Sequence, residues 1–321
     1  MFFTETPQVN FLTQLQPPNA RTLQEGIGVA NGTFGELLQG ALLGDNNHFL
    51  VTLPIQKFSR AVFTPNVATK QITVTPSNKS KSLALIQRLV DHYRLGIGGH
   101  LSIESELPEG KGLASSSADL VATARALESA MGLVIPTELI LFLLRTIEPS
   151  DGVMYPEFVT FFHRKVELGR QLGFPSRLQV VAIDEGGQID TIEYNQRNHP
   201  FTDAECAEYA ELLHTIETAI RSNDLALLGR VATSSAILNQ KRNPKRHLDQ
   251  MLEISQETQA LGVVVTHSGP CIGLLFPHEP AWQAQIEHAT TLLANLTDQV
   301  FMVESLAAAP TTNGNFVAIS Q

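Results

Sequence analysis

Three consecutive serines stand in the stretch LPEGKGLASSSADLVATARAL, residues 107–127. Ser115, Ser116 and Ser117 follow a segment of small residues and lead into a run of apolar residues at helical spacing. Backbone N–H groups and hydroxyls are therefore exposed at the N-terminus of a predicted helix, and such a place binds anions. The spacing predicts an anion site here, with phosphate as the candidate ligand.

Several other site patterns are absent from the sequence. The Gly110-Lys111 pair is followed by Gly112 rather than by Ser or Thr, which excludes a P-loop, and no GxGxxG follows a predicted strand. His278 lies only two residues before Pro280, so the helix of a zinc protease is excluded, and no GxSxG is present. The serine-rich loop is therefore neither a P-loop nor a GxGxxG loop.

The serine-rich loop resembles the ATP-binding loop of the GHMP kinases, the superfamily of galactokinase, homoserine kinase, mevalonate kinase and phosphomevalonate kinase. Two further segments agree in order and spacing. GTFGELLQG, residues 32–40, resembles the N-terminal motif of the family, and THSGPCIGLLF, residues 266–276, resembles its C-terminal Gly-rich turn. The resemblance covers residues 26–306 and depends in the loop on Pro108, Gly112, Leu113, Ala114, Ser115, Ser116 and Ala118.

Within the superfamily, the chain is most similar to the L-threonine kinases of cobalamin side-chain synthesis and propanediol utilisation, which carry GTxGELxQG and an EPSD segment, here residues 148–151. Ala114 stands where many members have Gly, and Ser117 where many have Ala. The resemblance implies an ATP- and Mg²⁺-dependent kinase that forms O-phospho-L-threonine. The alternatives are a GHMP kinase acting on homoserine, an isoprenoid precursor or a sugar, and a catalytically silent nucleotide-binding regulator.

The resemblance implies an ATP site built from two segments. In the C-terminal turn it assigns Ser268 and Gly269, where small residues let the backbone come close to the phosphates. The alternatives are a plain hairpin turn at these two residues and a solvated side chain at Lys111. In the serine-rich loop the resemblance assigns Pro108, Lys111, Gly112, Leu113, Ala114, Ser115, Ser116 and Ser117.

The resemblance also implies a metal site and a base. Magnesium prefers hard oxygen ligands and keeps several waters, so one hydroxyl and one carboxylate are enough, here Ser116 and Glu148. Asp151 is assigned to orient or deprotonate the acceptor hydroxyl. The alternatives are a helix cap at Ser116 and an Asp-Gly turn at Asp151. The sequence leaves open which carboxylate is the base, and His267 is expected to be packed or hydrogen-bonded rather than catalytic.

An amino acid acceptor presents a carboxylate and an ammonium that both need partners on the protein. By the resemblance, Glu36 is catalytic, either binding the acceptor or bracing the nucleotide loop. Ser235 and Asn239 are candidates to bind the acceptor, with Lys241 or Arg242 for its carboxylate. The alternatives are a solvated turn carboxylate at Glu36 and a solvated helix end for the others.

Apolar residues at helical spacing predict seven helices, at residues 82–95, 115–131, 136–146, 203–222, 225–240, 248–261 and 280–296. Short apolar runs between turn signals predict strands at residues 27–40, 48–55, 59–65, 71–76, 100–108, 177–184, 188–194, 262–269, 271–276 and 299–307. Strands separated by helices on one layer favour an α+β sandwich.

The predicted fold class is therefore α+β. The resemblance implies a two-domain GHMP kinase-like fold, with an N-terminal α/β domain that has a mixed sheet and a C-terminal α+β ferredoxin-like sandwich. We expect an N-terminal arm at residues 1–25, a nucleotide-binding domain at 26–175, a C-terminal domain at 176–306 and a tail at 307–321. The boundary falls where GFPSR interrupts the pattern.

The composition is that of a globular protein with an acidic balance. Of 321 residues, 43% are hydrophobic and 17% charged, and 22 basic against 32 acidic residues give a net charge of −10. This balance disfavours nucleic acid and anionic membranes as partners. Cys206 and Cys271 form no CxxC pattern, so a disulfide framework and a thiolate zinc site are not supported. We expect a cytoplasmic enzyme with a small-molecule partner, and the sequence leaves the oligomeric state open.

Overall fold

The apolar runs of the sequence form one mixed sheet in the computed structural model, which describes residues 24–44, 47–187 and 200–307. The ten strands of these residues are β1 Gly26–Ala41, β2 His48–Asn66, β3 Ile72–Thr75, β4 Gly98–Ser105, β5 Phe158–Phe162, β6 Glu167–Gly173, β7 Leu178–Asp184, β8 Gly262–Val265, β9 Cys271–Pro277 and β10 Val300–Glu304.

Seven α-helices in the same residues accompany the sheet, together with a short 3₁₀ turn at Pro280–Trp282. The helices are α1 Ser80–His92, α2 Ser115–Met131, α3 Thr137–Leu144, α4 Asp203–Ser222, α5 Leu225–Asn239, α6 Leu248–Glu257 and α7 Gln283–Ala294. In the described part of the chain, no helix combines the length and the apolar character needed to cross a membrane.

The strands follow the order β10-β7-β9-β8-β1-β2-β4-β3, and β5 pairs with β2 and β6. The β3–β4 pair is parallel, whereas β1–β2 and β8–β9 are antiparallel. Strands β1 and β8 meet where Glu36 lies opposite Val265, so strands from both halves of the chain share one sheet. The predicted α+β class is confirmed. The domain boundaries at residues 25, 175 and 306 stay predictions.

Helix α2 lies at the centre of the N-terminal half, against β1 and β2. It is buried nearly all round, with Leu120, Ala124 and Leu127 fully inaccessible to solvent. A helix that is apolar on most of its circumference belongs in a core, so the position of its first turn is fixed by packing rather than by surface contacts.

A second hydrophobic cluster lies on the C-terminal strands. Val263 of β8 and Ile272 of β9 pack with Met251 of α6 and Leu293 of α7. The turn that joins β8 to β9 therefore connects two strands whose side chains are packed in this cluster.

The structure differs from the predicted elements in several places. The helix predicted at 82–95 spans 80–92, and the strands predicted at 100–108 and 262–269 span 98–105 and 262–265. The two strands predicted at 48–55 and 59–65 are one strand, β2, which pairs with β1 on both sides of a bulge at Gln56 and Lys57. The helix predicted to reach residue 261 ends at 257, and the one predicted from 280 begins as a 3₁₀ turn. Strands β5 and β6 were not predicted. The strand predicted at 188–194 lies outside the described residues.

Candidate active site

The first turn of α2 lines a cavity. Ala114 precedes the helix in the left-handed conformation, with φ 59° and ψ 29°, and in the described residues no side chain caps the helix. The first turn contains no acidic residue. Thr33 N donates to the carbonyl of Leu113 at 3.2 Å, which ties the loop to β1. An uncapped helix start of this kind favours a bound anion.

The cavity has a volume of about 360 Å³. Most of the predicted site residues line it: Glu36, Pro108, Gly112, Leu113, Ala114, Ser115, Ser116, Ser117, Glu148, Asp151 and Ser268. The structure thus brings together the loop, the EPSD segment, the N-terminal motif and the C-terminal turn. Side chains that were not predicted also line it, among them Lys79, Lys81 and His267.

Ser116 and Glu148 form a pair of hard oxygen groups in the cavity. The Ser116 hydroxyl donates to Glu148 Oε1, and the ammonium of Lys81 donates to Glu148 Oε2. Ser116 does not cap the helix. Among the residues that the structure covers, no group of three or more His, Cys, Asp or Glu is arranged to hold a metal. Two protein oxygens fit Mg²⁺, which takes its remaining ligands from phosphate and water.

Asp151 lies next to this pair in a turn anchored to α2. The N–H of Asp151 donates to Ser117 Oγ at 3.1 Å. Burial, and then the negative charge of Glu148, raise the pKa of Asp151 to about 7. A carboxyl group with a pKa near neutrality is suited to accept a proton at physiological pH.

Glu36 is a buried carboxyl group beside Asp151. Its residue is 2% exposed, and within the described part of the chain Oε2 has no hydrogen-bond partner. Burial, and then the charge of Asp151, raise the pKa of Glu36 well above its usual value. The alternative of a solvated turn carboxylate is therefore wrong.

Lys111 points away from the cavity. Its ammonium lies 2.6 Å from Asp184 Oδ2 and donates to the carbonyl of Gly187 at 2.7 Å. Gly269 lies beside Ser268 and against the backbone of the serine-rich loop. The assignment of Lys111 and Gly269 to ATP stays a prediction.

The predicted acceptor residues Ser235 and Asn239 lie on α5, one layer behind the cavity lining. Ser235 Oγ accepts a hydrogen bond from Gln39 N at 3.2 Å, and both residues are buried. Asn239 lies one turn further along the same face of the helix. The alternative of a solvated helix end is wrong for these two side chains.

His267 joins the cavity to this inner layer. Its Nδ1 lies 2.8 Å from Gln39 Oε1, as expected for a hydrogen-bonded rather than a catalytic histidine. Burial, and then the charges of Arg164 and His48, lower the pKa of His267 to about 3, so the ring is neutral. Gln39 was not predicted as a site residue, and its partner lies 228 positions away in the sequence.

Two lysines near the start of α1 are the other site residues that the sequence did not reveal. Lys79 lies 2.5 Å from Glu109 and 2.6 Å from Asp119, and Lys81 contacts Glu148. Both lie at least 30 positions before their partners, so no local spacing could have indicated them. They place positive charge at the rim of a cavity in a protein of net charge −10.

Both halves of the chain match known protein domains. Residues 81–154 match the GHMP kinases N terminal domain, and residues 216–288 match GHMP kinases C terminal. The chain is 28% identical to the L-threonine kinase of Citrobacter freundii, over 75% of this chain and 83% of that protein. It is 26% identical to that of Salmonella typhimurium, over 75% and 79%. The homoserine kinase structure from Cytophaga hutchinsonii superposes with a TM-score of 0.71 at 16% identity, over 90% and 96%.

Proposed function

Because the chain belongs to the GHMP kinases, we propose that it transfers the γ-phosphoryl group of ATP to the hydroxyl of L-threonine. The observation that carries this proposal is the meeting of an uncapped helix start, the Ser116–Glu148 pair and the Asp151 carboxyl in one cavity. The likeness to two L-threonine kinases supports threonine as acceptor. The product would be O-phospho-L-threonine for cobalamin side-chain synthesis, made in the cytoplasm.

The start of α2 binds the phosphates in this proposal. Its free N–H groups and the small residues around them suit a chain of phosphate oxygens, and phosphoryl transfer depends mainly on positioning and charge neutralisation. Ser116 and Glu148 would hold Mg²⁺, which when bound neutralises charge on the phosphate oxygens. Lys81, now bound to Glu148, is close enough to add positive charge at the same place.

Asp151 receives the proton of the acceptor hydroxyl. As that proton moves to the Asp151 carboxylate, the hydroxyl oxygen forms a bond to the γ-phosphorus and the bond from this phosphorus to the bridging oxygen breaks. ADP leaves with the electron pair of that bond. With a pKa of about 7, Asp151 is ionised in a large fraction of molecules at neutral pH.

Glu36 binds the ammonium of the acceptor. Glu36 and Asp151 both line the cavity. Glu36 Oε2 is buried and lacks a hydrogen-bond partner within the described residues. A buried acceptor without a partner costs free energy that an ammonium donor would recover. Since the pKa of the empty Glu36 is raised, we expect the bound ammonium to ionise it, with release of a proton to solvent.

Arg242 is the better of the two candidates for the acceptor carboxylate. Its Nη2 donates to Glu205 at 3.1 Å, whereas Nε and Nη1 are buried and lack hydrogen-bond partners in the part of the chain described. Lys241, in contrast, has a side chain that is 68% exposed. Asn239 Nδ2 and Gln39 Nε2 are further buried donors in the same situation. Donors of this kind suit a carboxylate, which accepts stronger hydrogen bonds than the uncharged hydroxyls of a sugar.

A panel of acceptors tests this proposal. Purified protein with ATP and Mg²⁺ is assayed for ADP release with L-threonine, L-homoserine, L-serine, mevalonate and galactose, and products are identified by mass spectrometry. We expect O-phospho-L-threonine with the highest kcat/KM. Faster turnover of another acceptor contradicts the threonine assignment and keeps the kinase. Binding of ATP without turnover of any acceptor favours the nucleotide-binding regulator.

A further inference from the structure

The turn between β8 and β9 is held from behind by two side chains of the segment that follows α5. Asn243 Nδ2 donates to the carbonyl of His267 at 2.9 Å and to that of Gly269 at 3.4 Å. Lys245 Nζ donates to the same Gly269 carbonyl at 2.6 Å. The carbonyl groups of His267 and Gly269 in this turn are therefore fixed by side chains that do not line the cavity.

The same turn is in direct contact with the serine-rich loop. A Cβ atom added to Gly269 would lie 1.9 Å from the carbonyl oxygen of Lys111 and 2.4 Å from the backbone nitrogen of Gly112. Distances this short mean that the two backbones already touch, without a side chain between them. Since packed interiors transmit displacement, a shift of Gly269 must move the loop that leads into α2.

Lys245 is an unusual residue for a structural role at this position. It is 3% exposed, and burial lowers the pKa of its ammonium to about 8 although the charge of Glu185 acts to raise it. Burying an ammonium costs free energy unless its donors are used. The hydrogen bond that the structure describes for this ammonium goes to Gly269.

We propose that Lys245 is a positioning residue for the nucleotide site and acts on the serine-rich loop through Gly269. Asn243, which donates to the same carbonyl group, has the same role. Lys245 touches neither substrate. It fixes the carbonyl of Gly269, and the contact of Gly269 with residues 111–112 then fixes the path of the backbone before the first turn of α2. This inference rests on the proposed nucleotide site and is independent of which acceptor is phosphorylated.

The test compares Lys245→Met, which keeps the length of the side chain and removes its donors, with Asn243→Ala. The dissociation constant for ATP with Mg²⁺ is measured by calorimetry at a temperature where circular dichroism shows each variant to be folded. We expect Lys245→Met to weaken ATP binding by about tenfold or more, and Asn243→Ala by a smaller factor. At saturating ATP, the KM for the acceptor should stay within about twofold of the wild-type value.

A matched control separates positioning from general stability. Leu172→Ala removes a buried side chain of β6, a strand that pairs with β5 rather than with β8 or β9, and should lower the melting temperature without changing the affinity for ATP. If Lys245→Met and Asn243→Ala, or Asn243→Ala alone where the first variant does not fold, bind ATP as the wild type does, the positioning role is overturned while the kinase proposal stands. Failure of the wild-type protein to bind ATP overturns both.

Discussion

The carboxyl groups of Asp151 and Glu36 line the same cavity and have little exposure to solvent. Their pKa values determine how the protonation of the site changes with pH. Burial is the larger cause of the raised pKa of both groups; the second cause is the charge of Asp151 for Glu36 and the charge of Glu148 for Asp151. The empty site therefore holds protons at neutral pH that the unfolded chain would have released. Binding of cations, whether ammonium or metal, favours the ionised forms, so the site is poised to exchange protons for its ligands.

The first prediction at the residue scale concerns stability and pH. The pKa of Asp151 rises from 3.8 to about 7 on folding, so the folded protein binds more protons than the unfolded chain between these values. The contribution of Asp151 to the free energy of unfolding therefore falls as pH rises through that window. Asp151→Asn should match the wild type near pH 4 and exceed it by about 1 kcal/mol or more at pH 8.

Urea unfolding of the two proteins at a series of pH values measures this difference. The exposed Asp91→Asn is the control, and we expect it to leave the curve of the wild type unchanged. A constant difference between Asp151→Asn and the wild type across the whole pH range would contradict the raised pKa.

The second prediction concerns the metal pair. Ser116→Ala removes one hard oxygen of the pair, and Glu148→Gln removes the charge of the other. Each should raise the Mg²⁺ concentration required for half-maximal activity by about tenfold or more, since Mg²⁺ has few protein ligands to lose. A magnesium titration at fixed ATP measures it, with the exposed Glu208→Gln as the matched control. An unchanged magnesium requirement in both variants would show that the metal is held elsewhere.

At the scale of elements, the parts of the site with local signals were predictable. The bounds of α2 at Ser115–Met131 and of α4 at Asp203–Ser222 are confirmed. Small residues before α2 and a Gly after it mark its ends, and Thr202 with Glu205 forms a capping box at the start of α4. Strands β5 and β6 could not be predicted, because the pairing of β5 with β2 and of β6 with β5 supplies the stability that their own short pattern lacks.

The third prediction concerns the backbone of the serine-rich loop. Gly112 has φ +75°, and an added Cβ would lie 2.6 Å from Thr266 Cβ and 2.8 Å from Gly269 N. Gly96 has φ +66° with nothing within 4 Å of the added atom. Gly96→Ala should therefore lose only about 1–2 kcal/mol of stability, from its left-handed conformation. Gly112→Ala should lose more and also weaken ATP binding by about tenfold or more.

Thermal unfolding and ATP calorimetry on the two variants check this prediction. The comparison separates conformational strain, which both variants share, from the contact with the C-terminal turn, which only Gly112 makes. Equal losses of stability with equal ATP affinity would contradict a close contact between loop and turn.

At the scale of the whole molecule, the site exists because one sheet joins the two halves of the chain. Glu36 lies opposite Val265 where β1 meets β8, which places the N-terminal motif beside the turn that carries His267 and Ser268. The resemblance indicated which residues to consider. It did not indicate the contacts of Gln39 with His267 or of Lys81 with Glu148, because such long-range distances follow from the packing of whole elements rather than from spacing.

The fourth prediction belongs to this scale, because a ligand that binds only the folded protein stabilises all of it. ATP with Mg²⁺ at 100 times its dissociation constant should add about 2.7 kcal/mol to the free energy of unfolding. The melting temperature should rise by a few degrees, and by less when the metal is removed with a chelator. The absence of any shift would contradict a nucleotide site.

The most direct test of the proposed threonine kinase activity compares the wild type with Asp151→Asn in one experiment. ADP formation from ATP, Mg²⁺ and L-threonine is followed together with the thermal shift caused by ATP. We predict threonine-dependent turnover by the wild type, a loss of kcat of about 10²–10⁴-fold in Asp151→Asn, and the same ATP-induced shift in both. Turnover by Asp151→Asn at the wild-type rate would contradict Asp151 as the base, and ADP formation independent of threonine would contradict the proposed reaction.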